Sequence, residues 1–149
     1  MEEIIGKRFI TCKNEEVDAQ KIYNCKLICL FFTASWCSPC EIFSKELFDI
    51  YTHEANQGEK LLEIIQVNIE KPETSQKQII AGDKPWVFIP LNDPSVAKLT
   101  QKFDIDTVPY FLVLDINGNI VSTTGRKDIV TEGAKIVDIW LEQVGHKYE

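Results

Sequence analysis

A run of six apolar residues, Leu27, Ile28, Cys29, Leu30, Phe31 and Phe32, predicts a strand buried on both faces. Such a strand belongs in a parallel or mixed sheet covered by helices. Thr33, Ala34 and Ser35 break the run, and from Ser38 the period changes. Phe43, Leu47, Ile50 and Tyr51 then recur at helical spacing, with Glu41, Lys45, Glu46 and Asp49 between them. The spacing predicts a helix from Ser38 to Glu54 or Asn56, with Gly58 as its terminator and His53 near its end. Between strand and helix stands Trp36-Cys37-Ser38-Pro39-Cys40.

The same patterning organises the rest of the chain. Phe9 to Cys12 predicts a short strand, Lys13 to Glu16 a turn, and Val17 to Ala19 a return strand before a helical turn through Tyr23. Leu61 to Ile69 reads as a second central strand, ended by Glu70-Lys71-Pro72. Glu73 to Ile80 predicts a short helix started by Thr74 or Ser75 and closed by Gly82-Asp83. Pro85 and Pro90 bracket Trp86 to Ile89 and forbid a long strand there. Asn92 or Asp93 can cap a helix with Pro94 at its first position and Val96, Leu99 and Phe103 as its buried stripe. Tyr110 to Asp115 predicts a strand, Asn117-Gly118 a hairpin turn and Ile120 to Thr124 the returning strand. Gly125-Arg126-Lys127 reads as a loop before a closing helix from about Ile129 to Val144. With 149 residues and neither repeat nor linker, one domain over residues 1–149 is expected.

Composition narrows the functional classes. A net charge of −7 argues against nucleic acid and anionic membrane surfaces as partners. The N-terminus has neither a basic region nor an apolar run of signal-peptide length. No stretch approaches the ~20 apolar residues that span a bilayer. Five cysteines with one recognisable pair read as a reducing compartment. A cytoplasmic location is expected, with the nucleus open to the chain by its small size.

The Cys-x-x-Cys pair carries the chemistry. Cys37 at a helix N-terminus meets unpaired N–H groups and the positive end of the helix dipole, so its thiol pKa is expected to fall toward neutrality. Cys37 then attacks a substrate disulfide, and Cys40 resolves the mixed disulfide. Pro39 has no N–H to lose in the first turn. Ser38 either donates a hydrogen bond to the Cys37 thiolate or simply fills the surface. A zinc site is the weaker alternative: Cys12, Cys25 and Cys29 make no second pair at ligand spacing, and His53 and His146 stand alone. Cys12 and Cys29 read as small core residues and Cys25 as a loop thiol. No Gly-x-Gly-x-x-Gly is present, so no flavin or nicotinamide cofactor is expected. The redox group is the Cys37–Cys40 couple itself.

FFTASWCSPC resembles the active-site segment of the thioredoxin superfamily, and Thr107-Val108-Pro109 resembles its cis-proline loop. Ala34-Ser35-Trp36, Lys84-Pro85-Trp86 with Ile89-Pro90, and Gly125-Arg126 are similar to the tryparedoxin and nucleoredoxin branch. The resemblance implies an α/β thioredoxin fold: a central mixed β-sheet flanked by helices, here with an N-terminal β-hairpin extension. It implies a cis Pro109, with Val108 offering its backbone to an extended substrate peptide. Trp36 would rim the same groove, or else pack against the fold. Arg126 would meet an acidic substrate group, or else be an ordinary surface arginine. Thioredoxin has a buried aspartate six residues before its first cysteine, where this chain has Phe31. Cys40 therefore needs another proton acceptor. Glu70, which matches an acidic position of tryparedoxins, is one candidate and water the other. The function implied is a thiol–disulfide oxidoreductase that reduces protein disulfides, its partners disulfide-bearing proteins and an upstream thiol reductant, its state a monomer. The alternative is a redox-regulated binding protein of nucleoredoxin type with little turnover. A glutathione-dependent enzyme fits less well, since the Gly-Gly signature expected after the next strand is missing.

Overall fold

The computed structural model describes residues 1–53, 60–71, 73–80 and 82–147. Its elements follow in the order α1 (Glu2–Ile5), β1 (Phe9–Ile10), β2 (Glu16–Val17), α2 (Ala19–Tyr23), β3 (Leu27–Thr33), α3 (Ser38–Tyr51) and β4 (Leu62–Asn68). Then come α4 (Gln76–Ile79), β5 (Val87–Phe88), α5 (Pro94–Lys102), β6 (Tyr110–Asp115), β7 (Ile120–Ser122), α6 (Gly125–Glu132) and α7 (Ile136–Lys147). The strands form one mixed sheet in the order β2-β1-β5-β4-β3-β6-β7.

The apolar run from Leu27 is the axis of this sheet. β3 pairs parallel with β4 and antiparallel with β6, and every one of its residues is buried. Successive side chains point to opposite faces, as the pleat requires. Leu27, Cys29 and Phe31 enter the core beneath α3, α6 and α7, with Phe43, Leu47 and Trp140. Ile28, Leu30 and Phe32 enter the core on the other face, with Ile22 of α2 and Leu99 of α5. A thioredoxin fold results, and the expected N-terminal hairpin is the antiparallel β1–β2 pair, which extends the sheet beyond β5.

Local signals account for most element ends. Asp93 caps α5 through Ser95 N–H with Pro94 following it, and Ser75 and Gln78 form a reciprocal capping box on α4. Asp115, fully buried, accepts the Asn117 and Asn119 N–H groups and so holds the β6–β7 turn, where Gly118 has φ +84°.

Several expectations are corrected. α3 stops at Tyr51, where the Thr52 hydroxyl donates to the Phe48 carbonyl; Glu54, Asn56 and Gly58 lie outside the described residues. Gly125-Arg126-Lys127 is not a loop but the first turn of a separate helix. Gly125 permits this. A Cβ there would stand 2.6 Å from the Phe111 carbonyl oxygen, so only glycine lets α6 begin against β6. The closing helix is two helices, because Gly133 adopts φ +63° and a 3₁₀ turn over Gly133–Lys135 separates them. α1 is a single turn that the periodicity missed.

Cys25 lies in the connection between α2 and β3, as expected, but it is buried there. Near it, the buried Glu63 carboxylate accepts a hydrogen bond from Lys60 Nζ at 2.6 Å and one from the Ile64 N–H. Burial pushes the Glu63 pKa up, and Lys60 holds it back. Lys60 in turn is raised despite its own burial, because of Glu63. We therefore expect Lys60→Met to destabilise the fold by about 2 kcal/mol, below the usual cost of breaking a buried pair because the Lys60 side chain is 43% exposed. The sign of the pH dependence follows. Without Lys60 the Glu63 pKa rises further above its unfolded value of ~4.3, and ionised Glu63 costs stability only above that value. Urea unfolding should show a larger loss at pH 8 than at pH 5; equal losses would refute the ion-pair account.

Candidate active site

The end of β3 and the start of α3 place the two cysteines. Cys37 is the N-cap residue of α3, in extended conformation, with Ser38 and Pro39 opening the helix. It forms a disulfide with Cys40, the Cα atoms 5.3 Å apart. The Cys40 backbone N–H donates to Cys37 Sγ at 3.3 Å, so the sulfur takes the place a serine or aspartate oxygen fills at other helix starts. Ser38 is exposed, and the donor to that sulfur is the Cys40 amide rather than the Ser38 hydroxyl. Cys37 is 9% exposed and Cys40 2%, which makes Cys37 the sulfur a partner can reach.

Above the disulfide lies the loop before β6. The Val108–Pro109 peptide bond is cis, and the Val108 carbonyl oxygen stands 3.8 Å from Cys37 Sγ. Val108 packs on the small cluster of Ala34, Cys37 and Cys40. Trp36 is 57% exposed, so it borders the site and is not packed into the fold. Arg126 is exposed on the first turn of α6 and lines a cavity of about 110 Å³ with Pro39, Ile42 and Val130. It thus flanks the Pro39 side of the helix start.

Glu70, just beyond β4, has both carboxylate oxygens engaged. Oε1 accepts from Ser35 Oγ and Oε2 from Ser35 N–H, each at 2.7 Å, and Oε2 also accepts from Asn68 Nδ2 at 2.8 Å. The carboxylate clamps the loop that carries Trp36 and Cys37. Behind it a chain of buried amides continues inward. Asn68 Oδ1 accepts from Gln66 Nε2, and Gln66 Oε1 accepts from the Trp86 indole N–H. Gln66, Asn68 and Lys84 line a cavity of about 280 Å³ that also touches Cys37. Sequence reasoning gave none of the three a place at the site, naming Lys84 only within the Lys84-Pro85-Trp86 resemblance, although a glutamine between Ile65 and Val67 in a wholly buried strand is a usable signal. Phe31, in the aspartate's place, lies in the core edge-on to Phe43 and Trp86.

The free cysteines are separate from this site. Cys29 is fully buried, with its thiol pKa raised by burial, and burial pushes Cys25 up to about 11. Cys12 is half-buried against the core. Among the described residues no group of three His, Cys, Asp or Glu side chains could hold a metal ion. Nor is any described helix long and apolar enough to cross a membrane.

Comparison with known proteins agrees with this geometry. A family model described as thioredoxin-like matches residues 24–120. The chain belongs to the thioredoxin-like family. A probable nucleoredoxin 3 of Arabidopsis thaliana is 37% identical over 109 residues, covering 73% of this chain and 27% of that protein. Nucleoredoxin of Xenopus laevis is 28% identical over 104 residues, covering 69% of this chain and 25% of its own. This thioredoxin-like chain thus spans about a quarter of the length of the nucleoredoxins it matches. Among solved structures, tryparedoxin I from Leishmania major superposes with a TM-score of 0.73 at 26% identity, over 88% of this chain and 89% of that one. These matches support the tryparedoxin and nucleoredoxin branch. The site is a Cys-x-x-Cys pair at a helix start facing a cis-proline loop.

The Glu70 clamp gives a separate prediction. Glu70→Ala should lose about 2 kcal/mol in urea unfolding, as expected for hydrogen bonds to a charged group. Glu70→Gln should lose about 1 kcal/mol, since its amide oxygen can replace Oε2 while Ser35 Oγ turns to accept. With both oxygens occupied, the pH–rate profile of the Cys40 resolving step should be unchanged in Glu70→Gln. An altered profile would instead make Glu70 the proton acceptor.

Proposed function

We propose that the chain reduces disulfides in protein substrates through the Cys37/Cys40 couple, drawing electrons from another thiol system. The observation that carries this reading is the position of Cys37 Sγ at the start of α3, 3.8 Å from the Val108 carbonyl of the cis-proline loop. The reduced Cys37 thiolate would be stabilised by the helix dipole and by the Cys40 N–H that already faces it. An extended peptide laid along Val108 would pair with its backbone as a short added strand and bring its disulfide to Cys37. Trp36, exposed beside Cys37, would cover the peptide's apolar side.

The electron balance is simple. Cys37 thiolate attacks one substrate sulfur and expels the other as a thiolate, leaving a mixed disulfide. Cys40, on losing its proton, attacks Cys37 Sγ and releases the second substrate thiolate. The substrate disulfide gains the two electrons that the Cys37/Cys40 dithiol loses on closing its own disulfide, and an external dithiol restores the couple. Water would take the Cys40 proton, since both Glu70 oxygens are held by Ser35 and Asn68.

Insulin reduction in the presence of dithiothreitol tests the proposal. The wild-type chain should accelerate precipitation of the insulin B chain, and Cys37→Ser should return the rate to background. Cys40→Ser should instead accumulate a covalent complex with substrate, visible by mass and lost on reduction. No acceleration by the wild type, together with an ordinary thiol pKa near 8.5 at Cys37, would favour the redox-regulated binding protein.

A further inference from the structure

We infer that the polar cavity beside Cys37 is a subsite for a carboxylate borne by the disulfide that Cys37 attacks, with Lys84 as its cation. The inference rests on the redox reading above and adds a preference for anionic substrates. The cavity, about 280 Å³, lies between the Trp36–Ser38 segment, β4 and the segment leading to β5. Its floor is formed by Gln66 and Asn68, which are 3% and 5% exposed. Each amide nitrogen has one described acceptor: Gln66 Nε2 donates to Asn68, and Asn68 Nδ2 donates to Glu70. A side-chain amide nitrogen has two hydrogens, so each keeps one to offer. Buried donors of this kind require an acceptor in the cavity, water when it is free and an anion when one is bound.

Lys84 supplies the charge. Its side chain is only 19% exposed, and its described partner is Glu41 Oε2 at 3.5 Å. That is long for a charge-assisted contact, which is normally ~2.7–2.9 Å, and an ammonium has three hydrogens to place. Glu41 is 65% exposed and leans into solvent, so its charge is screened more than that of Lys84. Cys37 and Ser38, at the start of α3, also line the cavity, so the positive end of that helix borders it. A carboxylate in the cavity would meet one cation, two amide donors and a helix N-terminus, with Cys37 at the cavity wall, and would be opposed by Glu41, which also lines it.

Stopped-flow reaction of the reduced chain with two aryl disulfides tests this. One is 5,5′-dithiobis(2-nitrobenzoate), with a carboxylate on each ring, and the other is neutral 4,4′-dithiodipyridine. In both, Cys37 thiolate expels one aryl thiolate and Cys40 the second. Two electrons pass to the reagent, two protons leave the thiols, and the chain is left as its disulfide. The quantity read is the ratio of the anionic to the neutral rate, since any change in Cys37 thiolate fraction moves both rates and cancels. The ratio should fall about fivefold in Lys84→Gln and rise in Glu41→Gln, an effect of the size expected for one partly screened charge pair. An unchanged ratio in both variants overturns the subsite, as does a fall in Arg126→Gln without one in Lys84→Gln. If the wild-type chain reacts with neither reagent, the redox reading fails separately. The subsite is then judged on the oxidised chain by titrating the Gln66 and Asn68 side-chain amide resonances. Saturable shifts with 4-nitrobenzoate and none with 4-nitrobenzamide uphold it; no shift with either removes it.

Discussion

Burial of β3 on both faces is the constraint from which the rest of the molecule follows. A strand with water on neither side must satisfy every backbone group through neighbouring strands, and β3 does so with β4 on one edge and β6 on the other. Its end is therefore fixed against both neighbours. β4 ends beside it at Asn68, and Glu70, just beyond, takes hold of Ser35. β6 begins beside it at Tyr110, directly after Val108 and Pro109. The reactive sulfur and the backbone that would guide a substrate are thus carried by adjacent strands of one rigid sheet. Neither depends on a long loop for its position.

Much of this was legible because the relevant signals are local. The six apolar residues of β3, the change to helical period after Ser38 and the Asn117-Gly118 turn are each set by a few neighbouring side chains. Proline beside Asp93 marks a helix start in the same way. What the sequence hid depends on contacts between distant segments. The end of α3 turns on a threonine hydroxyl competing for a carbonyl, and nothing in the apolar period records that. α6 exists because Gly125 can approach Phe111, and such an approach is visible only when β6 and α6 are side by side. Cys25, between Asn24 and Lys26, sits in a polar stretch, yet the packing of α2 on the sheet covers it.

The site divides along the same line. Cys37, Cys40, Trp36 and Pro109 were found from motif and resemblance, and the structure brings Cys37, Cys40 and Val108 into contact. The polar residues around them were not found, apart from Glu70. Gln66, Asn68 and Lys84 come from two segments separated by α4, and no spacing rule joins them. They matter because Phe31 removes an acid from the neighbourhood of the cysteines and packs as hydrocarbon instead. Neutral amides and the Lys84–Glu41 pair then set the polarity next to Cys37. The two buried thiols differ from Cys37 and Cys40: with raised pKa values and no access, they stay protonated.

Gly125 is a position where the backbone leaves no room for a side chain. A single extra carbon there would collide with the Phe111 carbonyl and ring, at 2.6 and 2.7 Å. Phe111 lies two residues past the cis proline and stacks on Trp140 of α7. A missense change at this glycine would pry the C-terminal helices from the sheet and disturb the strand behind Pro109. A screen for loss-of-function alleles would then recover lesions here alongside those at the cysteines, although Gly125 takes no part in the chemistry.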